Sequence, residues 1–174
     1  GSLGTAANNL NTSLGTLDAA ISGAGTLVLA ETDALTVTAT TADGAITITT
    51  GGTLTATALT AGGTADITLT AGADLLVGAV LADADTITAT ATGRIERATS
   101  DTQFTAAVLA LTAGTGIGTL DPIVVAIPTL SATSTSGDIR IRNLLTTDVT
   151  VTNLTTGTGA LDYSQAGGTV TVTH

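Results

Sequence analysis

A segment of this chain returns about 113 residues later in the same order. Gly4-Thr5, Thr16-Leu17-Asp18-Ala19 and Asp33-Ala34-Leu35-Thr36-Val37-Thr38 are echoed by Gly118-Thr119, Thr129-Leu130-Ser131-Ala132 and Asp148-Val149-Thr150-Val151-Thr152. The match runs on from Gly51-Gly52-Thr53-Leu54-Thr55 to Gly167-Gly168-Thr169-Val170-Thr171. Internal self-similarity restricts the chain to folds in which like units stack on like units. The expected extent is about one and a half units of a longer array.

A shorter period lies beneath. Apolar anchors Leu27, Ile46, Ile67 and Ile87 are about 20 residues apart, the length of one solenoid turn, and Ile139 and Leu161 read as their continuation. A second series is Leu35, Leu54, Leu76 and Ile95, continued by Val149 and Val170. Each coil then holds two strands of alternating pattern, as in Ala45-Ile46-Thr47-Ile48-Thr49, with Ile inward and Thr outward. Gly51-Gly52, Gly62-Gly63 and Asp43-Gly44 supply turns. No 3.6-residue stripe competes, so the strands should pair in parallel with those of the next coil. The expected segments are a truncated boundary element over 1–24, regular coils over 25–103, an irregular boundary over 104–137 and further coils over 138–174. The boundary contains Gly114-Thr115-Gly116-Ile117-Gly118 and the two prolines, Pro122 and Pro128, which cannot donate to a ladder. It is expected to leave the stack.

Composition decides among partners. Hydrophobic residues make up 43% of the chain, enough for a core, but aromatics are 1%, so the interior must be thin aliphatic layers. A formal charge of −10 and the absence of Lys argue against nucleic acid and anionic lipid as partners. With no Cys, disulfides and thiolate metal sites are excluded. No apolar run spans a bilayer, and membrane insertion is not expected. Gly1-Ser2 reads as a cloning scar and His174 as the stump of a purification tag.

Ala110-Leu111-Thr112-Ala113-Gly114-Thr115-Gly116-Ile117-Gly118-Thr119, with Leu130-Ser131-Ala132-Thr133 and Ser136-Gly137-Asp138-Ile139-Arg140-Ile141, resembles filamentous-haemagglutinin-type repeats. The resemblance implies a right-handed parallel β-helix, export to the cell surface or medium of a bacterium, and a role in adhesion or extracellular structure. It carries over no catalytic residues and no cofactor.

Candidate chemistry is sparse. Most carboxylates are single Asp residues at turns, where solvation explains them. Asp83 and Asp85 form the one close pair and are weak candidates for a metal such as Ca²⁺. With His only at the terminus, lyase chemistry and nucleophilic triads lack a base, and no enzyme is expected. Arg94 and Arg97, then Arg140 and Arg142, could present guanidinium forks to glycans or proteins, with Arg94 and Glu96 outward about Ile95. Pairing with Asp on adjacent coils is the simpler use of these charges. Tyr163 alone is thin support for sugar stacking.

Thr47 and Thr49, Thr68 and Thr70, and Thr88 and Thr90 should stack into a grid like that of ice-binding solenoids. Two features speak against it. The second strand series is equally rich in Thr, and the first face breaks to Val28 before the grid and to Arg140 and Arg142 after it. The reading reached is an adhesin stalk or surface scaffold whose partners are neighbouring repeats and surface glycans or proteins. A filament that assembles head to tail and an ice-binding grid are the alternatives.

Overall fold

The computed structural model describes residues 1–5 and 7–173, and His174 lies outside them. Sixteen strands and no helix occur among the described residues. They are β1 (Leu10–Thr12), β2 (Thr16–Ile21), β3 (Leu27–Glu31), β4 (Leu35–Thr41), β5 (Ile46–Thr50), β6 (Leu54–Ala61), β7 (Ile67–Ala71) and β8 (Leu75–Ala91). The later half adds β9 (Ile95–Arg97), β10 (Phe104–Ala113), β11 (Ile123–Ala126), β12 (Thr129–Ser134), β13 (Ile139–Asn143), β14 (Val149–Thr156), β15 (Leu161–Gln165) and β16 (Val170–Val172). Every pairing between them is parallel. The chain is a β-solenoid of about 8 turns with coils of ~21 residues.

Alternation of Ile or Leu with Thr produces this directly. In β5 the burial alternates, with Ile46 and Ile48 fully buried beneath outward Thr47 and Thr49. One inward column runs Leu27, Ile46, Ile67 and Ile87, as the spacing predicts. Its continuation differs from expectation: it passes through Leu109, Leu130 and Val151. The other column is Leu35, Leu54, Leu75, Ile95, Ile117, Ile139 and Leu161. Ile139 and Leu161 therefore belong to the second series, and Leu75 replaces Leu76 as its inward residue. Val149 and Val170 belong on the first face. The exchange arises because the step lengthens from 19 residues (Leu27 to Ile46) to 22 (Ile87 to Leu109), while both faces share one binary pattern.

The 113-residue repeat has the same consequence. Leu17 aligns with Val37 on the second face, whereas its echo Leu130 stands on the first. Leu54 and its echo Val170 are exchanged in the same way. The long repeat thus covers five turns and a part-turn, so equivalent segments serve opposite ladders. One pattern suits both because each demands only alternation and a glycine turn.

Residues 104–137 remain in the stack, contrary to the expected departure. β10 pairs with β8 on one side and with β11 and β12 on the other. Ile117 bridges Ile95 and Ile139. What changes is the second face, which opens over two coils. From Leu75 to Val80 is five residues, but between their partners on the next coil, Ile95 and Phe104, it is nine. The extra backbone forms two neighbouring loops, 98–103 and 118–122. Phe104, completely buried, fills the widened interior where aliphatic residues suffice elsewhere. Pro122 and Pro128 sit beside β11, outside the strands. Gly118 starts the second loop at φ 63°, and a Cβ there would run into the Arg140 carbonyl and lie 2.8 Å from the Ile123 nitrogen.

The packing makes a testable contrast. Replacing Ile48 with Ala should lower stability to urea by about 2–5 kcal/mol, because the close-packed layer cannot collapse onto the void. Replacing its outward neighbour Thr49 with Ala should change stability by no more than about 0.5 kcal/mol.

Candidate functional site

The second face gathers most of the charge that the sequence singles out. Arg94, just before β9, lies 3.3 Å from the Asp74 carboxylate, which also accepts the Arg94 backbone N–H at 2.8 Å. Arg97 pairs with Asp121 at 3.1 Å. Arg140 stands 3.9 Å from Asp162 and donates to the Thr119 carbonyl at 3.3 Å. Each of these three partners is an Asp on an adjacent coil, the simpler use anticipated from sequence. Arg142, exposed on β13, has no ion pair among the described residues. The two arginine groups, 46 residues apart at Arg94 and Arg140, are thereby brought to one ladder around loop 118–122.

Glu96 corrects the sequence reading, since it is not outward beside Arg94. It is 2% exposed, and its carboxylate accepts N–H bonds from Thr119 (3.0 Å) and Leu120 (3.2 Å) and the Thr119 hydroxyl. Glu31 is built alike: 3% exposed, it accepts from Leu14 N at 2.7 Å, Thr12 Oγ1 at 2.5 Å and Thr32 N at 2.9 Å. These are the only two glutamates of the chain. Both clamp loops where the ladder stops, satisfying donors that would otherwise be buried without a partner. Asn143 and Gln103, fully buried, perform the same task with neutral groups. The Asn143 side chain donates to Ile127 O at 2.7 Å and accepts from Leu145 N at 3.2 Å, while Gln103 accepts from Val124 N at 2.8 Å. Nothing in the local sequence marks these four residues, except that Glu is as scarce as Asp is common.

Asp83 and Asp85 lie within β8, at the corner between the two faces. Asp83 is exposed, and one buried carboxylate oxygen of Asp85 has no hydrogen-bond partner. No group of three His, Cys, Asp or Glu residues converges among the described residues, so the pair gains no third ligand. Tyr163 is half-buried, and its hydroxyl donates to Gln165 at 2.9 Å and accepts from Asn143 at 3.4 Å. Burial raises its pKa above the ordinary value, against the Asn143 bond. The ring is thus tied into the second ladder.

The described residues form no pocket. The loop pair 98–103 and 118–122 interrupts the second ladder, and there Arg97 meets Asp121 and Leu120 stands 69% exposed. It places a guanidinium beside a carboxylate and an apolar tip. Comparison with known proteins finds no matching family model, curated protein or solved structure.

The buried Glu31 carboxylate should make the fold acid-sensitive. Burial acts to raise the Glu31 pKa, but bonds from Thr12, Leu14, Asp33 and Thr32 outweigh it and hold the group below its ordinary 4.5. A depressed folded-state pKa stabilises above the unfolded value and ceases to do so as pH falls through the folded one. Glu31→Gln should therefore lower the melting temperature at neutral pH, and the gap from the natural protein should close below about pH 4. By contrast, Arg97→Ala should cost less than about 1 kcal/mol in urea titration, because its Asp121 partner is largely solvated.

Proposed function

We propose that the chain is a non-enzymatic segment of a repetitive bacterial extracellular protein of filamentous-haemagglutinin-like type, serving as an adhesin stalk or surface scaffold. The observation that carries this reading is the continuity of the stack. Parallel pairing passes from the Leu3 bridge to Val172 without a break, around a filled aliphatic interior. Such a body adds length for each coil and concentrates its charged relief at one place, which suits spacing and contact. The Asp partners of Arg94, Arg97 and Arg140 further support a structural role for most of that charge. The loop pair with Arg97, Asp121, Leu120 and nearby Arg142 is the segment's patch for surface glycans or proteins.

A second reading is a filament assembled head to tail, supported by the pairing of each coil's strands with those of the coils before and after it.

Small-angle scattering across a concentration series separates the readings. A stalk segment should keep a constant mass and a long axis of about 40 Å, from coils spaced about 4.8 Å apart. Growth of that axis with concentration would transfer the assignment to the filament. On a glycan array, binding lost in Arg97→Ala together with Asp121→Ala would locate adhesion at the loops, and turnover of any array sugar would overturn the non-enzymatic reading.

A further inference from the structure

The strand registers answer two of the objections that the sequence raises against a dedicated threonine surface; Val28 and Ala30 still precede the rows at Thr47 and Thr49, so the surface begins with β5. Arg140 and Arg142 do not interrupt it, because β13 pairs with β11 and β15 on the other ladder. The first face continues instead through β10, β12 and the end of β14. Its outer row is then Thr49, Thr70, Thr90, Thr112, Thr133 and Thr155, six threonines on six successive coils. The inner row begins Thr47, Thr68 and Thr88 and continues with Ala110, Ser131 and Asn153, all small or uncharged.

The second face has as many threonines in sequence but not in register. Thr36 and Thr55 are followed by Leu76 and Glu96, and Thr40 and Thr60 by Leu81. Rows there end after two or three coils. All four arginines also lie on that side. In a chain of formal charge −10, the two aligned rows on the first face contain no charge. The bulge between Ala106 and Val108 falls outside the aligned rows, and the one between Leu130 and Ser131 borders only the inner row, at its last step from Ser131 to Asn153.

From this geometry we propose that the first face is an ice-binding surface, with the oxygen lattice of ice as its ligand. Parallel coils repeat hydroxyl and methyl groups at about 4.8 Å across the strands and about 6.6 Å along them. That two-dimensional repeat is comparable with the oxygen spacings of hexagonal ice. Outward Thr is stiff at χ1, so the rows hold one arrangement and lose little freedom on contact with a lattice. Methyl groups between the hydroxyls favour water ordered over them, and the absence of charge spares a desolvation cost.

Ice adsorption and thermal hysteresis of the whole chain test the proposal. The natural protein should enter a growing ice front and open a gap between melting and freezing points. Thr90→Tyr, a bulky β-former at the row centre, should abolish both, while Thr36→Tyr on the other face should leave them unchanged. Circular dichroism checks that each variant keeps its β signal. Exclusion of the folded natural protein from ice overturns the proposal, as does equal loss in both variants. So does a concentration-dependent dimer that Thr90→Tyr abolishes, which would make the face a contact between copies. A scattering long axis that stays constant in all three proteins leaves the stalk reading independent of this result.

Discussion

The structure depends on main-chain hydrogen bonding from each coil to the next. A strand such as β5 gives its donors and acceptors to β3 and β7, and has no partner within its own coil. A single turn could neither satisfy its backbone nor bury its aliphatic face, so stability is shared between nearest neighbours. Inward Leu and Ile then meet the same residue type above and below, which allows a packed interior with only one buried Phe. The inward columns tolerate a change of identity, as from Ile48 to Leu69, because size and polarity are kept.

Where the ladder is interrupted, buried polar side chains take over its hydrogen bonds. Glu31 supports the first described loop, Glu96 holds loop 118–122, and Gln103 and Asn143 hold the edges of β11. Charge-assisted acceptors serve where several N–H groups converge, and amides serve where a donor and an acceptor are both needed. The loops that relieve the second face are therefore anchored from beneath. This fixes the position of Arg97 and Leu120 at the surface, and leaves the first face free to remain regular.

Much of this was legible in the sequence. The parallel solenoid, the coil length, the inward column through Ile87 and the alignment of Thr47 with Thr68 and Thr88 all follow from alternation and spacing. The continuation beyond Ile95 was not, because the two faces have the same pattern and a lengthened coil shifts one onto the other unnoticed. The prolines and clustered glycines fall beside the second widening loop, 118–122, whereas the first, 98–103, lies in the stretch read as regular coils, and the stack is unbroken through both. Glu96 was misplaced for a related reason: alternation about Ile95 directs it outward, and only the returning loop 118–122 encloses it.

The chain's alternating aliphatic and threonine residues, repeated about every 20 residues with glycine at the corners, determined that it winds into stacked parallel coils, since stacking like turns buries one side of each strand and pairs its backbone with the next coil. Which strands share a face was decided only in three dimensions. Register depends on the summed length of every intervening turn, so it is a property of the whole stack and not of any motif within it. That is why the arginines converge on one ladder, and why six distant threonines form a single row on the other.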